Sequence, residues 1–431
     1  MVDTLMIAAL PNSDTLLSAV GMAGKLSWLL NLTLFGFTSG AAVFISQYWG
    51  VKDMKGIHRS YGFALMCAAV TAIIFTAIGR FCTYPVMRMF TGSQKHIELG
   101  ASYMEIACFS YLAVALTNIF STVLRSTEKV RLPMYVSISG TLLNAGLNAL
   151  FIFGMDMGLR GAAIATAISA WTSPIILFII SLKQRNVLIA PLKAMFGWSK
   201  RFVKKYIGIS LPVLLNETLW AVGTIGFQLI YTNKDPDFFA AMTVYGTLEG
   251  IVFVFFVGLC HACTVMVGKS VGAGDREQAL LDGRRFSILV PTLSLVVAAV
   301  LILSRNTILL AFNISDEMRA VAGSIIIIAG SELVLRHIPY ITIVGVFRAG
   351  GDTRTGLLYD VACIWGISLP LTLLSAYVFN LPLIWVYAIM LFAEDTLKTV
   401  LCIRRLVSGK WFRPVTEHTA QNRLDIPVAE G

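Results

Sequence analysis

Long apolar stretches broken by short polar or basic clusters run through nearly the whole chain. Phe286–Ser304 carries no charge over a length that, as a helix, crosses a hydrocarbon core of about 20 residues. Val361–Ala393 is a longer uncharged run with Asn380-Leu381-Pro382 near its middle, and such a turn signal predicts two spans joined tightly rather than one very long helix. The pattern predicts spans at approximately 1–10, 16–49, 60–80, 97–124, 133–154, 161–182, 206–232, 239–268, 286–304, 319–347, 355–379 and 383–403. Alternation at period two dominates nowhere, which disfavours a β-barrel. The expected fold class is therefore all-α integral membrane, with about twelve transmembrane helices.

Composition strengthens this reading. Of 431 residues, 57% are hydrophobic and 13% charged, where a soluble chain carries about 25% charged residues. The formal net charge of +10 invites a nucleic-acid reading, but its placement points elsewhere. The loops after spans 2, 4, 6, 8 and 10, with the tail, hold 24 of the Lys and Arg residues. The loops after the odd-numbered spans, with their edges, hold seven, and Lys25, Arg336 and Lys398 fall within spans. Positive charge collects on the cytoplasmic side of a membrane protein, so both termini are expected in the cytoplasm of a multi-pass plasma (inner) membrane protein. No nucleic-acid partner is implied.

The chain also repeats itself. Shifted by 222 residues, Gly36, Gly50, Asp53 and Phe90 fall on Gly258, Gly272, Asp275 and Phe312; shifted by 223, Gly100, Arg125 and Arg131 fall on Gly323, Arg348 and Arg354. Six spans per half, an even number, give both halves the same orientation, as in transporters with parallel repeats. The expected organisation is an amino-terminal six-helix bundle (1–182), a basic cytoplasmic linker (183–205), a second six-helix bundle (206–408) and a flexible polar tail (409–431). Phe196 and Trp198 among the linker's basic residues suit either a stretch lying on the inner leaflet or a plain surface loop. The first span, at about 15 Å of helix, reaches halfway across the hydrocarbon, so the start of the first helix is expected to be missing.

Enzyme chemistry finds no support. There is no Walker A loop, no Gly-x-Ser-x-Gly and no His-Glu-x-x-His. The seven cysteines imply no disulfide framework, and Cys260 and Cys263 within an apolar span read as packing residues rather than a metal site.

Several segments resemble the multidrug and toxic compound extrusion (MATE) family. Val2–Met6 (VDTLM) is similar to the segment that ends its first helix, and Ser39–Gly50 (SGAAVFISQYWG) to the close of its second. Asn144–Asn148 (NAGLN) with Phe153 and Gly154, then Gly161–Thr166 (GAAIAT), resemble its fifth and sixth helices, and Arg348–Arg354 (RAGGDTR) the loop after its tenth. The resemblance runs nearly end to end. It implies a V-shaped pair of pseudo-twofold-related six-helix bundles around a central cavity, and export of cationic amphiphilic compounds in exchange for sodium ions or protons. No cofactor beyond the coupling ion, Na+ or H+, is implied, and a monomer is expected.

An ionisable group inside a span is costly and marks a functional candidate. Asp3 is the first. Asn144 and Asn148, spaced i, i+4, share a helix face, and Thr166 sits on the next helix. A carboxylate, two amide oxygens and a hydroxyl form a hard-oxygen set suited to a small monovalent cation. By the resemblance, Asp3, Asn144, Asn148 and Thr166 match the family's amino-terminal cation site, and a Na+ there is the one metal expected. The second amide position is often a carboxylate in the family, so Asn148 leaves sodium and proton both open. The alternative is that the asparagines merely hydrogen-bond across helices.

In the second half, Glu217, Glu249 and His337 are candidates for the substrate cavity or a second carboxylate. Some relatives carry a cation-binding glutamate on the helix of Glu217, one turn further from the proline, and their accompanying aspartate falls near His337. Glu217 either meets a cationic substrate or is a buried structural carboxyl. Glu105 is a weaker candidate, and Asp360 lies near a span end within reach of water. Glu394 and Asp395 are spaced to pair with Lys398 along one helix. Arg336 and His337, just before Pro339, are placed to kink the tenth helix and line a polar path. The leading expectation is a secondary antiporter. A flippase for a lipid-linked precursor is the nearer alternative, disfavoured by the few basic residues within spans, and a non-transport membrane enzyme the more distant one.

Overall fold

The computed structural model describes residues 6–7, 10, 13–312 and 314–416. Among them there is no strand, and fourteen helices follow one another: α1 (Ser13–Gly50), α2 (Met54–Phe81), α3 (Thr83–Arg88), α4 (Gln94–Ala107), α5 (Ser110–Ser126), α6 (Arg131–Gly154), α7 (Gly158–Gln184), α8 (Leu192–Met195), α9 (Lys200–Lys234), α10 (Pro236–Gly272), α11 (Arg276–Leu310), α12 (Asp316–Phe347), α13 (Thr353–Val378) and α14 (Leu383–Val407). The chain is a multi-pass membrane protein. Large apolar side chains such as Ile73, Leu142, Val254 and Leu303 point outward, as lipid-facing positions do. The buried face of α2 instead sets Gly56, Ser60, Gly62, Ala64, Ala68, Ala72 and Gly79, small residues that let helices approach closely, around Ile57, Tyr61 and Phe63. With 37 residues, α10 is about 55 Å long and outreaches a core of about 30 Å. The tripeptide at 380–382 makes the expected turn, with Asn380 in the left-handed region (φ 47°) that asparagine tolerates better than most residues.

The expected fourth span is not one straight helix. It is α4 and α5, bent by 50° at a break that contains neither proline nor glycine. Hydroxyls cause the break: Ser110 Oγ donates to the Ala107 carbonyl (2.7 Å), and Thr76 Oγ1 of α2 donates to that of Cys108 (3.2 Å). Carbonyls engaged by side chains are drawn away from the helical ladder.

The chain forms two compact units, Met1–Ile45 with Asp53–Tyr206, and Ser46–Lys52 with Ile207–Gly431. In the first, α2 packs on α5, and α7 packs on α4, α5 and α6. The linker is docked here. Trp198 sits edge-on against Phe63 (5.1 Å) and donates to the Arg59 carbonyl (3.2 Å), while Phe196 faces outward. Tyr206, fully buried, stacks on Phe44 (5.1 Å) and donates to the Phe37 carbonyl (2.9 Å).

In the second unit, repeat-related residues touch each other. A Cβ on Gly50 would lie 2.1 Å from the Lys269 carbonyl oxygen, and one on Gly272 would lie 1.9 Å from that of Gln47. Only glycine at both positions allows the end of α1 to cross α10 this closely. The helix starts repeat as well: Asp53 accepts from Gly56 N (3.0 Å) and Asp275 from Gln278 N (2.9 Å), caps worth about 1 kcal/mol each.

The flexible tail expected from Gly409 onward does not hold for its first residues. Trp411 is fully buried under Gly350, Arg413 N donates to the Gly350 carbonyl (2.8 Å), and Arg405 and Arg413 both pair with Asp352. Gln47 closes the arrangement, donating to the Ala349 carbonyl (2.7 Å) and accepting from Val415 N (2.7 Å). One indole and two guanidinium groups hold residues 410–416 against the unit.

Candidate functional site

In the first unit, α6 and α7 bring three of the expected residues together. Asn144 and Asn148 share a face of α6, and Asn148 Nδ2 donates to Asn144 Oδ1 (3.1 Å). Asn144 Nδ2 donates to Ser169 Oγ on α7 (3.2 Å), and that hydroxyl donates to the Thr166 carbonyl (3.2 Å). Asn148 is fully buried. Directly after it, Ala149–Gly154 is wound as a π-helix, a widening that recurs at functional sites because it loosens the carbonyl ladder. Asn144, Thr166 and Ser169 also face a cavity of about 530 Å³ among α5, α6 and α7. Among the described residues its lining is rich in hydroxyls and amides, holds Arg125 and contains no carboxylate. Asp3, the expected carboxylate of this set, lies outside the described residues.

The second unit does not bring Glu217, Glu249 and His337 into one open site. Glu217 is held by Arg348 at 2.7 Å, and that arginine is 3% exposed. Glu249 pairs with Arg336 at 2.5 Å. His337 is buried, with Nδ1 donating to the Leu333 carbonyl (2.7 Å) and its ring 3.8 Å from that of Phe256. A carboxylate already matched by a guanidinium offers a cationic substrate little attraction unless the pair first opens. Glu105, likewise, is paired with Arg80 (3.3 Å).

The helix-spaced pairing of Glu394 and Asp395 with Lys398 is present, at 2.7 and 3.4 Å, but it is part of something larger. Lys398 also meets Asp360 of α13 (3.1 Å), which accepts a further bond from Asn216 of α9 (2.8 Å). Asp360 is therefore paired and only part-exposed, not simply a water-accessible end residue. Glu332, in the middle of α12, was not singled out by the sequence reading, although a carboxylate at mid-span four residues before Arg336 is a clear signal. Among the described residues, no group of three or more His, Cys, Asp and Glu side chains is arranged to hold a metal ion.

The family model described as MatE matches residues 1–150 and 212–374. Over 405 residues the chain is 24% identical to the probable multidrug resistance protein NorM of Thermotoga maritima, spanning 92% of this chain and 85% of that protein. Over 381 residues it is 23% identical to the probable multidrug resistance protein YoeA of Bacillus subtilis, spanning 86% and 81%. Its backbone superposes on an outward-facing multidrug resistance MATE family transporter of the MOP superfamily with a TM-score of 0.86 at 18% identity, covering 95% of this chain and 91% of the other. A MATE crystal structure in the bent conformation gives 0.85 at 16% identity, with 98% and 91% covered.

Proposed function

Since the chain belongs to the MatE family of multidrug and toxic compound extrusion transporters, we propose that it is a secondary antiporter that exports cationic amphiphilic compounds in exchange for Na+ or H+ by alternating access. It is a transporter and not an enzyme. Relatives named as multidrug resistance proteins along most of its length support the substrate class. The observation that carries the site is the part-buried hydrogen-bonded chain from the Asn148 amide through Asn144 and Ser169 to the Thr166 carbonyl, opening on the cavity beside α5.

In this reading Asp3 supplies the charge, while Asn144, Asn148 and Thr166 supply neutral oxygens. Neutral oxygens complete the coordination without adding charge, so a single carboxylate is left to balance a single monovalent cation that must come and go. Cation binding neutralises Asp3 and favours one conformation; the organic cation favours the other. Each ligand shifts the equilibrium only by its differential affinity for the two states, so exchange requires that the two oppose each other. Both termini lie in the cytoplasm of the plasma (inner) membrane in this orientation. The lipid-precursor flippase gains nothing from the structure, since Arg336 and Lys398 are already engaged by carboxylates.

Ethidium uptake into inverted membrane vesicles, with sodium and proton gradients imposed separately, tests the proposal. One gradient is expected to drive uptake and Asp3→Asn to abolish it. If no cationic dye moves with either gradient, the drug-export reading fails; if Asp3→Asn retains coupling, Asp3 leaves the mechanism.

A further inference from the structure

We propose that the second unit carries a proton-binding site of its own, in which Glu332 of α12 and Asp395 of α14 share one proton. Glu332 is fully buried, and neither of its carboxyl oxygens receives a hydrogen bond from any donor. The polar group it meets is another acceptor: α14 packs on α12, and the carboxyl of Asp395, 4% exposed, lies within hydrogen-bonding range. Two ionised carboxylates in that position repel each other and leave Glu332 without a bond. One proton converts the contact into a carboxyl–carboxylate hydrogen bond and removes one buried charge.

The surroundings require a proton rather than a metal ion. The groups facing the pair are Tyr245 of α10, Arg336 and His337 of α12, Cys363 of α13, and Glu394 and Lys398 of α14; Glu249 stands behind Arg336, and Asp360 behind Lys398. Five carboxyls, Glu249, Glu332, Asp360, Glu394 and Asp395, thus stand against two cations, Arg336 and Lys398. Arg336 is directed at Glu249. The place among Asp360, Glu394 and Asp395 where a metal cation would sit is filled by the Lys398 ammonium, at 3.1, 2.7 and 3.4 Å. Glu332 is the carboxyl left over, and a proton is the cation small enough to satisfy it without displacing Lys398.

The site takes from the transport reading only its consequence, that a second titratable position lies away from Asp3; its occupancy stands apart from what the protein carries. Infrared spectroscopy of the purified full chain at neutral pH, in a maltoside detergent that carries no carbonyl group, tests it. The carbonyl band of a protonated carboxylic acid is expected in the native protein and is expected to be lost in Glu332→Gln. That variant keeps a hydrogen bond in place, because the glutamine amide donates to Asp395, and so leaves packing intact. Asp395→Asn is expected to shift the band rather than remove it, because Glu332 then donates its proton to an amide oxygen instead of a carboxylate. Absence of the band from the native chain overturns the proposal with no variant needed, as does a band unchanged in both variants. If the band behaves as expected while ethidium fails to move in vesicles, the proton site stands and the drug-export reading falls.

Discussion

Arg125 and Arg348 occupy equivalent positions in the two repeats, and the two units treat them differently. Arg348 is 3% exposed and bonded to Glu217 at 2.7 Å. Arg125 faces the cavity of the first unit, where its hydroxyl partner is Thr122 at 3.4 Å. The contrast extends outward from each arginine. Around α6 and α7 the polar groups, Arg125 apart, are amides and hydroxyls; around α10, α12, α13 and α14 paired ions are buried beside hydroxyls such as Ser368 and Thr372. A neutral polar chain costs little to bury once its bonds are made, and its oxygens stay available to an incoming cation. Buried charges must be matched by permanent partners, which leaves a new ligand only what remains unmatched. One repeated backbone therefore supports two kinds of interior, and the ligand each accepts follows from the chemistry rather than from the fold.

The largest test of that difference is Lys398→Met. The substitution leaves Asp360, Glu394 and Asp395 buried without their ammonium. Breaking a buried ion pair by removing one partner costs about 3–5 kcal/mol, so thermal melting of the purified protein is expected to fall by more than for any neutral polar substitution in α6 or α7. A Lys398→Met protein that melts like the native chain would show that the ion network is no more demanding than the neutral one, and the comparison would collapse. Trp411→Ala probes the same unit from its edge. Emptying a fully buried indole site costs about 3 kcal/mol and releases the strap held by Asp352 and Gln47. Limited proteolysis is expected to cut near residue 411 in the variant and to spare the native chain there. Equal cutting in both would mean that the strap does not hold.

How much of this was visible in the chain alone depends on the range of each interaction. Spans from α6 to α14 and the turn at Asn380 were legible because hydropathy and turn chemistry act over a few residues. The common face of Asn144 and Asn148, and the pairing of Lys398 with Glu394, follow from helical periodicity for the same reason. The break between Ala107 and Ser110 was not legible, since no proline or glycine marks it and half of its cause lies on α2. Trp411 read as part of a polar tail because its binding surface is built from distant residues. Gln47 and Ala349, which anchor that surface, are 302 positions apart. Glu217 and Glu249 are legible as acids within spans, but not as paired ones, because Arg348 and Arg336 are distant in sequence, just after α12 and within it. Glu332 is legible as a mid-span carboxylate, but its neighbour Asp395 lies on another helix.

Asn144→Ala carries the smallest effect on stability and the sharpest on function. Asn144 stands at the centre of its chain, accepting from Asn148 and donating to Ser169, so alanine removes two neutral hydrogen bonds. Interhelical bonds of this kind average about 0.6 kcal/mol in membrane proteins, because polar groups in a bilayer find other partners when one is lost. Melting is therefore expected to change by about 1 kcal/mol or less. If the amide oxygen is also a ligand of the coupling cation, the variant loses a contact to a charge, worth about 1.5–3 kcal/mol. That is a rise of roughly tenfold or more in the cation concentration needed for half-maximal transport. The two quantities separate the readings: a bond that only ties α6 to α7 lowers melting and leaves the cation dependence where it was. A ligand shifts the cation dependence with melting almost unmoved, and only that outcome makes the neutral interior of the first unit a binding site rather than a well-satisfied seam.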